Sequence, residues 1–167
     1  MQSTNLKMLQ MTAALLAEIK DVFPPVAMPA KSRLCFHSLG CFHCDYLAKE
    51  LEQCRGKPVN GSVIRLLHQE MSCLSAKGWA WALPHYLPFC LTPEAEYNQM
   101  ETEFLIYNLA PGGKFEAETR DRLSSLSGQQ LTCLVHFLDW LKNHPKWSTY
   151  CPSEIDQAHE FVSSIAF

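Results

Sequence analysis

Leu131, Leu134, Val135, Leu138 and Leu141 recur three or four positions apart, which puts them on one face of a helix and argues against a strand, whose side chains alternate faces. The spacing predicts a helix over 128–143. Ser127 followed three positions later by Gln130 forms a capping box before it, and Pro145 closes it. The same rhythm organises most of the chain. Leu6, Leu9, Ala13, Leu16 and Ile19 predict a first helix from Ser3 or Thr4 to Val22, stopped by Pro24-Pro25. Leu47, Ala48, Leu51 and Cys54 predict another, from near Cys41 to a left-handed cap at Gly56. Ile64, Leu67, Met71 and Leu74 predict a helix over 62–76.

Trp79 to Phe89 is aromatic-rich and interrupted by Pro84 and Pro88, which predicts a short or kinked helix that forms core or a recessed groove. Thr92 and Pro93 read as N-cap and first residue of a helix carrying Tyr97, Met100, Phe104 and Tyr107, ended by Pro111. Ile155, Ala158, Val162 and Ile165 predict a last helix from about Ser153. Between residues 26 and 40 the chain reads as loop, with a short extended piece at 33–39. Together these stripes predict an all-α fold, one compact helical domain over residues 1–167 with roughly six or seven helices.

Apolar residues make up 47% of the chain and charged residues 19%, so a substantial core is expected and neither disulfide nor metal is needed merely to fold. The net charge of −3 comes without any basic run, which argues against a nucleic-acid partner. The run from Gly78 to Pro93 lacks charge but is too short and too rich in proline for a membrane span, and Met1 to Lys20 has no basic leader pattern. A cytoplasmic location follows as the expectation. The eight cysteines are then expected to be reduced thiols, with Cys54, Cys73, Cys90 and Cys133 packed as small apolar residues. His85 and His136, set among apolar neighbours, are expected in the core. Glu94, Glu96, Glu101 and Glu103 read as carboxylates favoured at helix starts.

Chemistry is concentrated in one place. Cys35, His37, Cys41, His43 and Cys44 put five soft donors within ten residues. Cys41 and Cys44 form the Cys-x-x-Cys half of a zinc site, and Cys35 with His37, or His68 with Cys73, supply the other half. A Cys-x-x-Cys at a helix start also fits a thiol-disulfide oxidoreductase using Cys41 and Cys44, since the positive helix end favours thiolate. Downstream periodicity offers no strands for the sheet behind such a motif in the thioredoxin arrangement. Asp45 after Cys44 excludes haem attachment. A third reading has both thiols on the first turn of a helix, half buried, with His37 and His43 capping carbonyls or facing water.

The order Cys41-x-x-Cys44-Asp45, a helix, Leu83-Pro84-x-Tyr86-Leu87, then Leu126-Ser127-x-x-Gln130 leading into Phe137-Leu138 resembles an uncharacterised bacterial domain family. In that family a Cys-x-x-Cys/Asp segment precedes a Tyr-Tyr-Leu-Pro-x-Tyr-Leu element and a late Leu-Thr-x-x-Gln helix. The resemblance spans about residues 41–141 and departs at Trp81-Ala82, where the family has its aromatic pair. It implies a helical fold and carries no assigned activity. No catalytic residues stand out, so the expectation is a non-catalytic module acting through an unidentified protein partner, without cofactor. The alternative is a small zinc-stapled binding protein using Cys41, Cys44, Cys35 and His37.

Overall fold

The helical rhythm is obeyed almost everywhere. The computed structural model describes residues 2–37 and 40–166, with side chains from residue 6 onward, and is 77% helical with no strand among those residues. The helices are α1 (Gln2–Val22), α2 (Lys31–Leu34), α3 (Phe42–Glu52), α4 (Gly61–Glu70), α5 (Ala76–Cys90), α6 (Pro93–Asn98), α7 (Met100–Leu109), α8 (Glu116–Leu123), α9 (Gly128–Asn143), α10 (Trp147–Tyr150) and α11 (Pro152–Ala166). The eleven helices among the described residues exceed the expected six or seven, and eight of them have seven residues or more.

The excess has physical causes. The helix expected to run on from Pro93 is cut at Gln99, which sits at φ +70° and ψ −44°, outside any helical well. The polar helix α8 offers no apolar stripe to read: only Thr119, Arg122 and Leu123 are buried. Its Glu116 and Glu118 at the start and Arg120 and Arg122 at the end suit the helix dipole. The helices α2 and α10 are single turns.

The apolar helix α5 lies at the centre, packed against α1, α2, α4, α6 and α8. It runs unbroken through Pro84 and Pro88 for 15 residues, longer than the short helix the prolines suggest. Trp79, Trp81, Ala82, Leu83, Tyr86, Leu87 and Cys90 are buried around its whole circumference, as a central helix requires. Trp79 is fully enclosed and its indole donates to Met71 O at 3.2 Å. One cluster of buried apolar side chains extends from Leu15 to Val162.

The rotation of α1 differs from the expected one. Leu15, Ile19 and Phe23 are buried, with Met8 and Met11 packed partly against them, whereas Leu6 and Leu9 are 59% and 64% exposed. Two interleaved apolar rows exist on this helix, and polar contacts to α9 select between them. Trp140 Nε1 donates to Thr12 Oγ1 at 2.9 Å, and Gln130 Nε2 donates to Val22 O at 3.2 Å. His136 is not in the core: half exposed, it meets Glu18 at 2.8 Å. His85 is half-buried. Helix α9 has the expected bounds and capping box.

What positions the thiol segment is a crossing of two chain pieces. The helix expected over 62–76 stops at Glu70, passes through a 3₁₀ turn at Met71–Cys73, and leaves Leu74 extended. Cys35 pairs with Leu74 in an isolated antiparallel bridge. Phe36 N donates to Cys73 O at 2.7 Å and Ser75 N donates to Leu34 O at 3.0 Å. Helical bonding gives way here because the backbone of residues 34–36 supplies equivalent partners. Arg33 and Leu34 end α2 and Cys35 is extended, so only part of the extended piece expected at 33–39 exists; Ser38 and Leu39 lie outside the described residues. The N-cap of α5 closes the crossing. Ser75 Oγ accepts from Gly78 N at 3.1 Å and donates to Arg33 O at 2.6 Å. A Cβ on Gly78 would lie 2.5 Å from Leu34 O, so glycine is what lets α5 approach this strand-like segment.

Candidate metal centre

Cys41 is the N-cap of α3, with extended dihedrals, and its carbonyl accepts the first helical bond from Asp45 N at 2.9 Å. Cys44 lies one turn on, inward-facing and 2% exposed. The Cys-x-x-Cys spacing therefore spans the first turn and brings both sulfurs to the same side. His37 arrives from the segment held against Leu74, placing Nδ1 3.6 Å from Cys44 Sγ. The donor atoms of His37, Cys41 and Cys44 all lie within 4.8 Å of one another.

Tetrahedral zinc with Zn–S of about 2.3 Å and Zn–N of about 2.0 Å separates its donors by roughly 3.5–3.8 Å. The His37–Cys44 pair already has that separation, and the widest pair need close by only about 1 Å. Cys35, the remaining member of the expected set, donates its thiol to Cys44 O at 3.4 Å and adjoins the Cys44 and Cys41 sulfurs, but falls outside the tight trio. The other half-site weighed from sequence divides. His68 is buried edge-on against Phe104 at 5.2 Å, its Nδ1 bonded to Arg65 O, and takes no part. Cys73 is brought beside Cys44 by the bridge, with Cys44 Sγ 3.8 Å from Cys73 O.

The thiols have unequal acidities. Backbone N–H of Cys44, aided by its thiol, stabilises the Cys41 thiolate and draws that group below the usual cysteine value. Burial pushes Cys44 up, and burial with the nearby Cys44 sulfur pushes Cys35 up to about 12. Cys73 is raised by burial and by the Cys44 sulfur beside it. A cation among these sulfurs would reverse the upward shifts and draw Cys41 down further, because crowded thiolates repel each other and need a positive charge.

Two features here were not legible in the sequence. Glu70, at the end of α4, accepts from Cys73 Sγ at 3.5 Å and meets His43 Nδ1 at 3.0 Å. His43 is exposed to water, as expected, and has a carboxylate partner besides. A cavity of about 550 Å³ lined by Lys31, Cys35, His37, Cys44 and Asp45 opens beside the cluster. No sheet lies behind Cys41 among the described residues, the Cys35–Leu74 bridge being the sole β feature there. All eight cysteines are free thiols; Cys73, Cys90 and Cys133 are buried and Cys54 is half-buried.

Elsewhere, Glu94, Glu96, Glu101 and Glu103 occupy first turns of α6 and α7 as expected, but Glu101 is also 1% exposed and paired with Arg65 Nε at 3.4 Å. Among the described residues no helix is long and apolar enough to cross a membrane. No protein-family model, curated protein or solved structure matches this chain.

Proposed function

We propose that this protein is a non-catalytic helical module that binds one zinc ion at His37, Cys41 and Cys44, with Cys35 as fourth donor. The observation that carries this is the convergence of three soft donors within 4.8 Å, drawn from two chain segments held by separate contacts. The ion's work is structural: it ties the segment after α2 to the first turn of α3. Its product is the outer face of α3, where Phe42 and Tyr46 stand one turn apart, 78% and 45% exposed. An aromatic pair on a fixed helix suits contact with a partner protein.

The test is metal content and stability of protein purified without chelator. About one equivalent of zinc is expected, with loss of thermal stability on chelation and loss of the ion in Cys44→Ser. Less than about a tenth of an equivalent, with no uptake on adding zinc, overturns the proposal.

A second reading is thiol-disulfide exchange, favoured by the half-exposed Cys41 at a helix start with the buried Cys44 one turn behind it. Cys41 thiolate would attack a dithiol partner's disulfide, forming a mixed disulfide and releasing one thiolate. Cys44 would displace the second, leaving this chain oxidised and the partner reduced by two electrons. A Cys41→Ser protein with undiminished disulfide-reducing activity would remove this reading.

A further inference from the structure

Arg122 is the least expected side chain in the molecule. It projects from a short polar helix yet its side chain is only 9% exposed. Its guanidinium lies over the Phe36 ring at 5.0 Å, Nη2 donates to Glu118 Oε2 at 3.2 Å, and Nε has no hydrogen-bond partner. A guanidinium keeps its charge in any surroundings, so burial demands compensation. Among the described residues its one ion pair, to a carboxylate that is itself 45% exposed, is poor compensation for a group built to bind oxygen acids through two parallel bonds.

Arg122 also lines a cavity of about 370 Å³, which shares His37 with the cavity described above. Its walls include Pro111 and Phe115, and Asn108, Glu118 and Thr119 bring polar groups to it. A concave, mainly apolar space of this size with a few convergent polar groups is the usual form of a small-molecule site.

We propose that this cavity binds a small organic carboxylate, the acid group pairing with Arg122 and the apolar body resting on Pro111 and Phe115. The planar fork matches a carboxylate, and the Phe36 ring packs 5.0 Å from the guanidinium carbon. Glu118 occupies the guanidinium in the free protein and is displaced when the ligand arrives. Its half-exposed position lets it swing into water at little cost. Phosphate fits less well: there is one buried cation, a competing carboxylate and an apolar wall. The proposal needs no metal chemistry, although the cavity borders the zinc site through His37 and Cys73, so the titrations compare protein with and without zinc.

The test is titration of the full chain with benzoate and with butyrate, followed by calorimetry or by amide chemical shifts, with benzyl alcohol as the uncharged probe. Saturable binding of at least one acid below about 10 mM is expected, with benzyl alcohol at least tenfold weaker. Glu118→Gln removes the competing charge and should tighten binding about fivefold, whereas Arg122→Gln should weaken it at least tenfold. Should Arg122→Gln fail to fold, the surface substitution still decides, because a merely structural Glu118–Arg122 pair predicts no tightening. Binding by neither acid, equal binding of benzyl alcohol, or unchanged affinity in Glu118→Gln overturns the site.

Discussion

Replacing Gly78 by alanine should destabilise the protein, against the ordinary effect of that change in a helix. Alanine favours helix over glycine by at most about 1 kcal/mol, and Gly78 sits in the first turn of α5 where the gain is smaller. Against this stands a steric conflict. The new Cβ would lie 2.5 Å from Leu34 O and 3.1 Å from Leu74 Cβ and Cδ2. The nearest of these atoms is backbone, so no rotamer change relieves it, and the carbonyl is held by Ser75 N at 3.0 Å. Overpacking of this kind costs about 1–3 kcal/mol, and an unyielding backbone atom puts the cost at the upper end. The net loss is about 2 kcal/mol, or roughly 4–8 °C in Tm for a chain of this length. Thermal and urea unfolding followed by far-ultraviolet circular dichroism would measure it. Because relief requires residues 34–36 to move, zinc affinity should fall together with stability. A Gly78→Ala protein as stable as the parent would show that α5 does not press on the Leu34–Cys35 segment.

The zinc reading predicts that metal at about 100 times its Kd raises unfolding free energy by about 2.7 kcal/mol, an increment that Cys44→Ser abolishes, seen by comparing unfolding with zinc and with chelator. Cobalt should give a spectrum with intense thiolate charge-transfer bands, and Cys35→Ser should weaken them; unchanged bands would exclude Cys35 as a donor. Alkaline pH should destabilise the protein through Cys90, which is 1% exposed and pushed by burial to about 12 from 9.0. Its folded value being raised, stability is complete below pH 9 and is lost as pH rises towards 12, by about 1.4 kcal/mol per pH unit. Cys90→Ala should flatten that part of the profile in denaturant titrations, after subtracting its own packing loss. Gln99→Gly should stabilise the chain by up to about 1 kcal/mol in urea unfolding, since φ +70° costs a residue with a Cβ and costs glycine little.

The helical class was written in the spacing of apolar residues. Leu131 to Leu141, with Ser127 and Gln130 in front of them, specify α9 with no help from elsewhere, because capping and amphipathic burial are local properties. Gly56 takes the expected left-handed φ of +75°, although α3 itself stops earlier, at Glu52, with Gln53 as its C-cap. The Cys-x-x-Cys half of the candidate site is local too, being set by the turn that opens α3.

The remainder depended on contacts between distant residues. On α1 two apolar rows were available, and the choice fell to Thr12 and Glu18 meeting Trp140 and His136 across more than a hundred residues of sequence. Leu74 left the helix its apolar stripe predicts because residues 34–36 offered its neighbours hydrogen bonds, and that exchange brought Cys73 and Glu70 to the thiols. Arg122 could not be read as buried from a helix of alternating charges; Phe36, far off in sequence, provides the surface that covers it. Local periodicity makes most segments helical, whereas where some of them stop, the pairing of faces, and so the company each cysteine and arginine keeps, is decided only when the segments compete for one another's surfaces.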